Sequence, residues 1–284
     1  MRLFKTIGHL QAFLKQAKTK GARIGFVPTM GALHEGHLEL IRRAASENDL
    51  TVCSIYVNPT QFNELSDLEK YPRTPEKDIF LLREVGSLAV FFPTDAEIYP
   101  EGPTKAPLVD LGHLNEVQEA RFRPGHFDGV VQVVARLLNL VQPDLLYMGQ
   151  KDYQQVLVIR RLLEQQSLST QLVVCPIVRE KDGLAMSSRN VRLDPGYRQK
   201  ASFIYECLQE AAALLDQKPI ATIQQNALDK LTAAGFRPEY FEIAAHDTLL
   251  PLASVQTGTT AVITTAVWAG EVRLIDNCLA PINF

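Results

Sequence analysis

The chain has 284 residues, of which 46% are hydrophobic, enough for one large core or two smaller ones. Charged residues make up 21% and the net charge is −3, so the sequence lacks the basic excess of a nucleic-acid binder. It also lacks an apolar run near the roughly 20 residues that cross a membrane. The four cysteines lie far apart and contain no C-x-x-C pair, which favours buried, reduced thiols over a disulfide framework or a zinc site. We therefore expect a soluble, cytoplasmic protein.

The N-terminal segment carries several basic residues, as a transit peptide does, but its apolar residues follow a helical spacing. We interpret it as a first amphipathic helix that contains Leu3, Ile7, Leu10, Phe13 and Leu14. From residue 23 onward, apolar strand-like segments alternate with helices. The predicted strands are residues 23–28, 50–57, 87–93, 144–149 and 171–178, and the predicted helices are about 37–47, 75–86, 129–141 and 153–166.

Continuous apolar strands separated by helices predict a parallel sheet covered on both faces. Ligands of such sheets bind outside the carboxyl ends of the strands. The polar loops after Pro28, Val57, Met148 and Val178 leave from those ends, so we expect the chemistry there.

The C-terminal third has a different order of elements, in which helices precede strands. Residues 194–216 and 220–235 are predicted helices; 238–246, 260–270 and 271–279 are predicted strands, the last two joined by a tight Ala-Gly turn. This order predicts a small α+β domain. We expect an α/β protein with a Rossmann-like parallel-sheet domain at 1–178 that binds the substrates and a smaller α+β lid domain at 179–284.

The loop after the first predicted strand carries two histidines at the start of a helix. Gly31 and Gly36 have the spacing of a P-loop, but His37 stands where that motif needs lysine, and no G-x-G-x-x-G is present. Backbone N–H groups at a helix start favour anions, and the imidazoles of His34 and His37 would add two donors for phosphate. The alternatives are incidental histidines at a helix start, or zinc ligands, for which the segment supplies no third or fourth ligand.

Polar residues follow the other strands as well. Lys151 would reach a phosphate as a point charge, whereas the neighbouring Asp152 has a helix cap as a serious alternative role. Residues 181–190 carry two hydroxyls, a guanidinium and a glycine, which suits a mobile phosphate clamp or a solvated turn. Gln61 and Gln155 border the same crevice, and Arg123 precedes the apolar helix, where it would face an anion.

Six ordered motifs within residues 28–190 together resemble the pantoate–β-alanine ligase family of coenzyme A biosynthesis. They are PTMGALHEGHL, NPTQF, YPRT, RPGHFDGV, PDLLYMGQKDYQQ and VREKDGLAMSSRN. The family belongs to the nucleotidyltransferases that share an H-x-G-H loop with class I aminoacyl-tRNA synthetases, and here that loop is His34-Glu-Gly-His37. The resemblance implies two steps, in which ATP activates pantoate as an acyl adenylate and β-alanine then displaces AMP to form pantothenate.

The resemblance also implies roles for individual residues. His37 would be the catalytic proton donor, assisted by His34 and Lys151. Gln61 would hold pantoate and border β-alanine, and Gln155 would hold pantoate. ATP would be bound by Met30, Gly31, Ala32, Leu33, His34, Glu35, Gly36, His37, Gly149, Gln150, Lys151, Asp152, Val178, Met186, Ser187, Ser188 and Arg189.

The partners implied are small molecules: pantoate, β-alanine and ATP, with Mg²⁺ carried on the ATP phosphates. We expect no resident metal, no nucleic acid and no membrane, and the resemblance implies a homodimer. Two residues depart from the family pattern: Ser66 stands where glutamate is expected and Met148 where phenylalanine is usual. Two alternatives stay open, another H-x-G-H enzyme and a non-catalytic nucleotide-binding module on the same fold.

Overall fold

Parallel strands form the sheet of the N-terminal unit in the computed structural model, which describes residues 1–85, 88–102 and 109–282. In the described residues the sheet has six strands in the order β1-β4-β3-β2-β5-β6, and every neighbouring pair is parallel. The strands are β1 (Arg2–Phe4), β2 (Ile24–Thr29), β3 (Leu50–Ile55), β4 (Leu88–Phe91), β5 (Leu145–Gly149) and β6 (Gln171–Cys175). All residues of β3 and β4 are buried, as a sheet covered on both faces requires.

The helices are α1 (Ile7–Thr19), α2 (Glu35–Glu47), α3 (Leu65–Lys70), α4 (Pro75–Leu82), α5 (Asp95–Ile98), α6 (Gln118–Phe122), α7 (His126–Val141), α8 (Tyr153–Gln165), α9 (Pro195–Lys200), α10 (Phe203–Ala213) and α11 (Ile220–Ala233). Most residues of α7 are buried. Among the described residues, no helix is both long enough and apolar enough to cross a membrane.

The direction of winding changes between β2 and β5. From β2 the chain adds β3 and β4 on one side of the sheet, and it later returns to place β5 and β6 on the other side. Gly25 of β2 lies opposite Leu145 of β5, so the carboxyl ends of these two strands lie side by side. Loops that leave a sheet at such a switch point diverge and open a crevice, which is where ligands of this fold class bind.

The second unit contains an antiparallel sheet with the order β7-β8-β9. Its strands are β7 (Arg237–Ala245), β8 (Thr260–Ala269) and β9 (Val272–Pro281), and α10 and α11 pack on them around residues such as Leu208, Leu231 and Ile263. The unit comprises residues 177–284 together with the segments 113–122 and 151–157; residues 1–112, 123–150 and 158–176 form the first unit.

The α/β class and the five predicted parallel strands are confirmed; β2 begins and ends one residue later than predicted, and the other four strands are shorter. Three details were wrong: Leu3 lies in the edge strand β1 rather than in the first helix, residues 194–216 form two helices instead of one, and the turn between β8 and β9 consists of Gly270 and Glu271. β1 is too short, and too exposed in its first two residues, to carry a strand pattern. The predicted helix end at Gly86 and strand start at Ser87 lie outside the described residues.

The four cysteines are free thiols, and three of them are buried. Burial raises the pKa of Cys53 and of Cys278 to about 12 and that of Cys207 to about 11, and it also raises the pKa of Cys175. The reactive thiolate form is therefore scarce at neutral pH.

We expect a thiol-specific disulfide reagent at pH 8 to label the native protein slowly, because a thiol of pKa about 12 has about three orders of magnitude less thiolate than an exposed cysteine. Protein unfolded in guanidinium should give four thiols, whether or not it was reduced beforehand. Fewer than four thiols without prior reduction would contradict this account.

Candidate functional site

The loop after β2 takes a left-handed turn that a buried carboxylate holds in place. Gly31 has φ of 77° and Ala32 φ of 47°, and the backbone N–H groups of Ala32 and Leu33 donate to the two oxygens of Asp78 at 2.9 and 2.8 Å. The Asp78 side chain comes from α4 and is only 1% exposed. Left-handed backbone at a residue with a side chain costs on the order of 1 kcal/mol, and the two charge-assisted hydrogen bonds offset that cost.

Gly31 leaves no room for a larger residue in this turn. A Cβ atom at this position would lie 3.0 Å from the Asp78 Oδ2 and 3.0 Å from the Ile55 Cγ2. The Gly31 N–H also donates to the Thr29 hydroxyl at 3.2 Å, and that hydroxyl donates to the Ser54 carbonyl of β3 at 2.7 Å. The turn is thereby attached to the sheet at its first residue.

The two histidines lie at the N-terminus of α2, which begins at Glu35, two residues earlier than predicted. The ring centroids of His34 and His37 are 4.0 Å apart. The His34 backbone N–H donates to the Nδ1 of His37 at 3.4 Å. Because Nδ1 accepts this bond, the neutral His37 ring carries its proton on Nε2 and can donate it. An N–H donor beside the positive end of a helix suits a phosphate.

Gln61 lies beside this loop in the same unit. It ends a 3₁₀ helix, Pro59–Gln61, and is 9% exposed. Its Nε2 lies 3.1 Å from the sulfur of Met30, and its Oε1 accepts from the Nδ2 of Asn58 at 3.2 Å. The phenol of Tyr99, whose pKa is raised by burial, donates to the Asn58 Oδ1 at 3.0 Å. The structure therefore brings the predicted residues Met30 and Gln61 together and fixes the orientation of the Gln61 amide.

Helix α7 supports the turn that carries Gln61. The His126 Nδ1 donates to the Gln61 carbonyl at 2.7 Å, and the Asn58 Nδ2 donates to the Gly129 carbonyl at 3.2 Å. A Cβ on Gly129 would lie 2.3 Å from the Thr60 carbonyl oxygen, so only glycine permits this close approach. Sequence reasoning gave no role to Asn58, His126 or Gly129; the one available signal was a glycine inside an otherwise apolar helix. Arg123 precedes α7 and its proposed contact with an anion stays a prediction.

The loop after β5 begins beside the loop after β2. Gly149 ends β5, and space beside its Cα is open, because a Cβ there would meet nothing within 4 Å. The Gln150 N–H donates to the Cys175 carbonyl of β6 at 2.8 Å and so continues the sheet by one bond. Met148, which replaces the expected phenylalanine, is 5% exposed and packs as a core residue. Ser66 is exposed in α3.

The second unit contains the remaining predicted residues. Val178 and Met186 meet there, because the Met186 N–H donates to the Val178 carbonyl at 3.0 Å across the turn that separates them. The Ser187 hydroxyl accepts from the Arg189 N–H at 3.3 Å and caps a 3₁₀ helix, Ser188–Arg192. Lys151 and Ser187 line one small cavity of about 10 Å³ with Asn190 and Asp276.

Two further predicted residues lie at the start of α8 in this unit. The Asp152 carbonyl accepts from the Val156 N–H at 3.1 Å, which is a backbone bond of the first helical turn, and the Asp152 residue is exposed. Gln155 is half-buried one turn into the helix, next to the buried Gln154, whose side chain accepts from the Glu119 N–H at 2.9 Å.

The predicted ATP-binding residues are thus distributed over the two units: Met30–His37, Gly149 and Gln150 belong to the first, whereas Lys151, Asp152, Val178 and Met186–Arg189 belong to the second. Gln61 is in the first unit and Gln155 in the second. The part of the chain that the structure describes contains no group of three or more His, Cys, Asp or Glu residues that could hold a metal ion.

Comparisons with known proteins agree over nearly the whole chain. A family model described as pantoate-β-alanine ligase matches residues 2–279. A pantothenate synthetase from Porphyromonas gingivalis is 46% identical over 278 residues, which are 98% of each chain. A crystal structure of pantothenate synthetase from Thermus thermophilus is similar with a TM-score of 0.91 and 42% identity, covering 99% of this chain and 100% of that one.

A third similar protein has bound ligands in its crystal structure. It is the pantoate-β-alanine ligase from Francisella tularensis complexed with β-γ ATP and β-alanine, with a TM-score of 0.82 and 35% identity over 99% of this chain and 98% of that chain.

We expect Gly129→Ala to destabilise the protein by about 1–3 kcal/mol, because the added methyl group overlaps backbone atoms that no rotamer change can move. Urea unfolding measures the change. The matched control is Gly8→Ala in α1, where a Cβ meets nothing within 4 Å and the helix gains up to about 1 kcal/mol. Equal stability of the two variants would contradict the close approach of α7 to Thr60.

Proposed function

The chain belongs to the pantoate–β-alanine ligase family, and we propose that it condenses pantoate with β-alanine in an ATP-dependent reaction that gives pantothenate, AMP and diphosphate. The observation that carries the proposal is the two-histidine loop at the start of α2, which lies in a chain that matches the family from residue 2 to residue 279. This chemistry is that of a ligase which activates a carboxylic acid as an acyl adenylate.

In the first step, a carboxylate oxygen of pantoate attacks the α-phosphorus of ATP. The new bond joins oxygen and phosphorus, the bond between the α-phosphorus and the pyrophosphate oxygen breaks, and pantoyl adenylate remains. Negative charge grows on the phosphate oxygens and on the leaving pyrophosphate. The Nε2–H of His37 and the N–H groups at the start of α2 stabilise this charge, with His34 beside them. Residues Met30–His37 thereby form the ATP site of the first unit.

The second unit contributes the other groups that we assign to ATP. Lys151 and Ser187 line the same cavity, and Arg189 follows in the 3₁₀ helix that Ser187 caps. A lysine, a hydroxyl and a guanidinium are groups that bind phosphate oxygens. Asp152, Val178, Met186 and Ser188 complete the proposed set, with Gly149 and Gln150 from the first unit. Mg²⁺ arrives as part of the substrate, bound to the ATP phosphates.

Gln61 holds pantoate and borders β-alanine in this proposal, and Gln155 also holds pantoate. An amide both donates and accepts, so it fits a ligand that offers hydroxyl groups and a carboxylate. The amide is also neutral. It therefore leaves the carboxylate free to act as a nucleophile, whereas an arginine would hold it in an ion pair.

In the second step, the amine of β-alanine attacks the carbonyl carbon of the adenylate. A carbon–nitrogen bond forms, the bond from carbon to the AMP oxygen breaks, and the amine nitrogen loses a proton as the amide forms. The anhydride is already reactive, so this step depends mainly on positioning and on the exclusion of water.

We also propose that the protein acts as a homodimer in the cytoplasm. The dimer follows from the family resemblance. Four free cysteines in the described residues suit a reducing compartment. The division of roles between an ATP- and pantoate-binding domain at 1–178 and a lid domain at 179–284 stays a proposal.

The order of the two steps gives a direct test. We expect labelled pyrophosphate to exchange into ATP when pantoate is present and β-alanine is absent, because adenylation is reversible and needs no amine. Gln61→Ala should require several-fold to about tenfold more pantoate for exchange, since a lost hydrogen bond to a substrate costs about 1 kcal/mol or more. The exposed Gln11→Ala on α1 is the control and should behave as the wild type. Exchange without pantoate would refute the substrate assignment, and an absolute need for β-alanine would refute a free adenylate.

We expect His37→Ala to slow adenylation by about 10²–10³-fold while the thermal midpoint stays near that of the wild type, because one preorganised donor is lost from the first turn of α2. The control is His9→Ala, an exposed histidine on α1, which should keep full activity. Presteady-state formation of the adenylate measures the rate. If His37→Ala forms the adenylate as fast as His9→Ala does, the assignment of His37 as proton donor is wrong.

A further inference from the structure

Arg179 and Asp276 form a buried ion pair in the second unit, next to the turn that leads into Met186–Arg189. Asp276 of β9 is 5% exposed, and burial raises the pKa of its carboxyl, an effect that the neighbouring Arg179 opposes. The Arg179 guanidinium donates to both carboxylate oxygens, with Nη1–Oδ2 at 2.6 Å and Nη2–Oδ1 at 2.9 Å. Two parallel bonds fix the guanidinium plane as well as its distance. The carboxylate charge is therefore already compensated by arginine.

The same guanidinium closes the turn between Val178 and Met186. Nη1 of Arg179 also donates to the Gly183 carbonyl at 3.0 Å, and Arg179 forms an antiparallel bridge with Ala185. The guanidinium carbon lies 3.5 Å from the ring centroid of Tyr205, which supports it from one face. The segment that leads into Ser187–Arg189 is thus held at its base by Arg179.

Asn277, the next residue of β9, connects this base to Lys151. Its side-chain Nδ2 donates to the Lys151 carbonyl at 3.0 Å. Its backbone N–H donates to the Asp276 Oδ1 at 2.7 Å, and its carbonyl accepts from the Arg179 Nη2 at 3.2 Å. One residue therefore touches the backbone of Lys151, the carboxylate of Asp276 and the guanidinium of Arg179.

We propose that Asp276 and Asn277 are positioning residues for adenylation, which hold Lys151 in a fixed place relative to the Ser187–Arg189 segment so that both reach the same phosphates. The two segments are far apart in the chain, but both are hydrogen-bonded, directly or through Arg179, to this pair on β9. Lys151, Ser187 and Asp276 line one cavity of about 10 Å³, roughly the space of one water molecule, so the three residues lie close together.

The charges of Asp276 and Arg179 support this assignment. Asp276 lies close enough to Lys151 to interact with its ammonium, yet both carboxylate oxygens are bonded to Arg179. Since the arginine satisfies the carboxylate, the ammonium stays available for phosphate. The inference rests on the role of Lys151 that the proposed function assigns, so its test must separate the two.

A double-mutant cycle makes that separation. Asn277→Ala removes the bond to the Lys151 carbonyl and keeps the backbone bonds to Asp276 and Arg179. We expect it to lower kcat/KM for ATP in pyrophosphate exchange about tenfold while the KM for pantoate stays unchanged. We expect Lys151→Ala to be slower still. Adding Asn277→Ala to Lys151→Ala should cause no further loss, because a positioning residue has nothing left to position.

Gln224→Ala is the matched control. It removes a bond of the same kind in the same unit, from the Gln224 Nε2 to the Phe241 carbonyl at 3.1 Å, and should leave exchange unchanged. Losses that multiply in the double mutant would overturn the inference, as would equal losses in Asn277→Ala and Gln224→Ala. If exchange is slow in Lys151→Ala but normal in Asn277→Ala, the positioning role alone is overturned. If exchange is normal in Lys151→Ala, the role of Lys151 is overturned, and the inference with it.

Discussion

Two hydrogen bonds from the backbone of Ala32 and Leu33 to the carboxylate of Asp78 determine the shape of the histidine loop. Without this carboxylate, the left-handed turn at Gly31 and Ala32 would lose both hydrogen bonds, at a cost of about 1–3 kcal/mol each. The turn redirects the chain from β2 towards α2, at whose start the ring centroids of His34 and His37 lie 4.0 Å apart. A site built on backbone amides needs such a buried support, because the loop itself has few side chains that could hold it.

A second constraint acts on the neighbouring loop, and it is one of space. Gly129 allows α7 to touch the 3₁₀ turn at Thr60, and His126 binds the carbonyl of Gln61 from the same helix. Most residues of α7 are buried in the core, so the core holds this helix in place. Because α7 contacts the turn that carries Gln61, the packing of α7 also positions Gln61. The histidine loop and Gln61 then meet through Met30. The arrangement of the histidine loop and of Gln61 thus depends on where two helices, α4 and α7, pack.

The sequence could predict the parallel sheet, because continuous apolar, β-branched strands are a local signal. It also pointed to the loops at the carboxyl ends of the strands, and four of the six family motifs include or follow the ends of β2, β3, β5 and β6. It could not predict β1, which has three residues and owes its conformation to pairing with β4. Nor could it show that Asp78 supports Ala32, that Gly129 faces Thr60 or that Asn277 reaches Lys151, since each contact joins segments between 46 and 126 positions apart. Local patterns indicate which residues are chemically suited to a task, whereas their supports come from tertiary packing.

The path of one oxygen atom tests the acyl-adenylate mechanism most directly. When pantoate labelled with ¹⁸O in its carboxylate reacts with ATP and β-alanine, the account predicts one ¹⁸O in the phosphate of AMP. The attacking carboxylate oxygen becomes the bridge to phosphorus, and it stays on phosphorus when the amine attacks carbon. Mass spectrometry of the AMP measures this transfer. AMP without the label, with the ¹⁸O found instead in inorganic phosphate or pyrophosphate, would contradict the account.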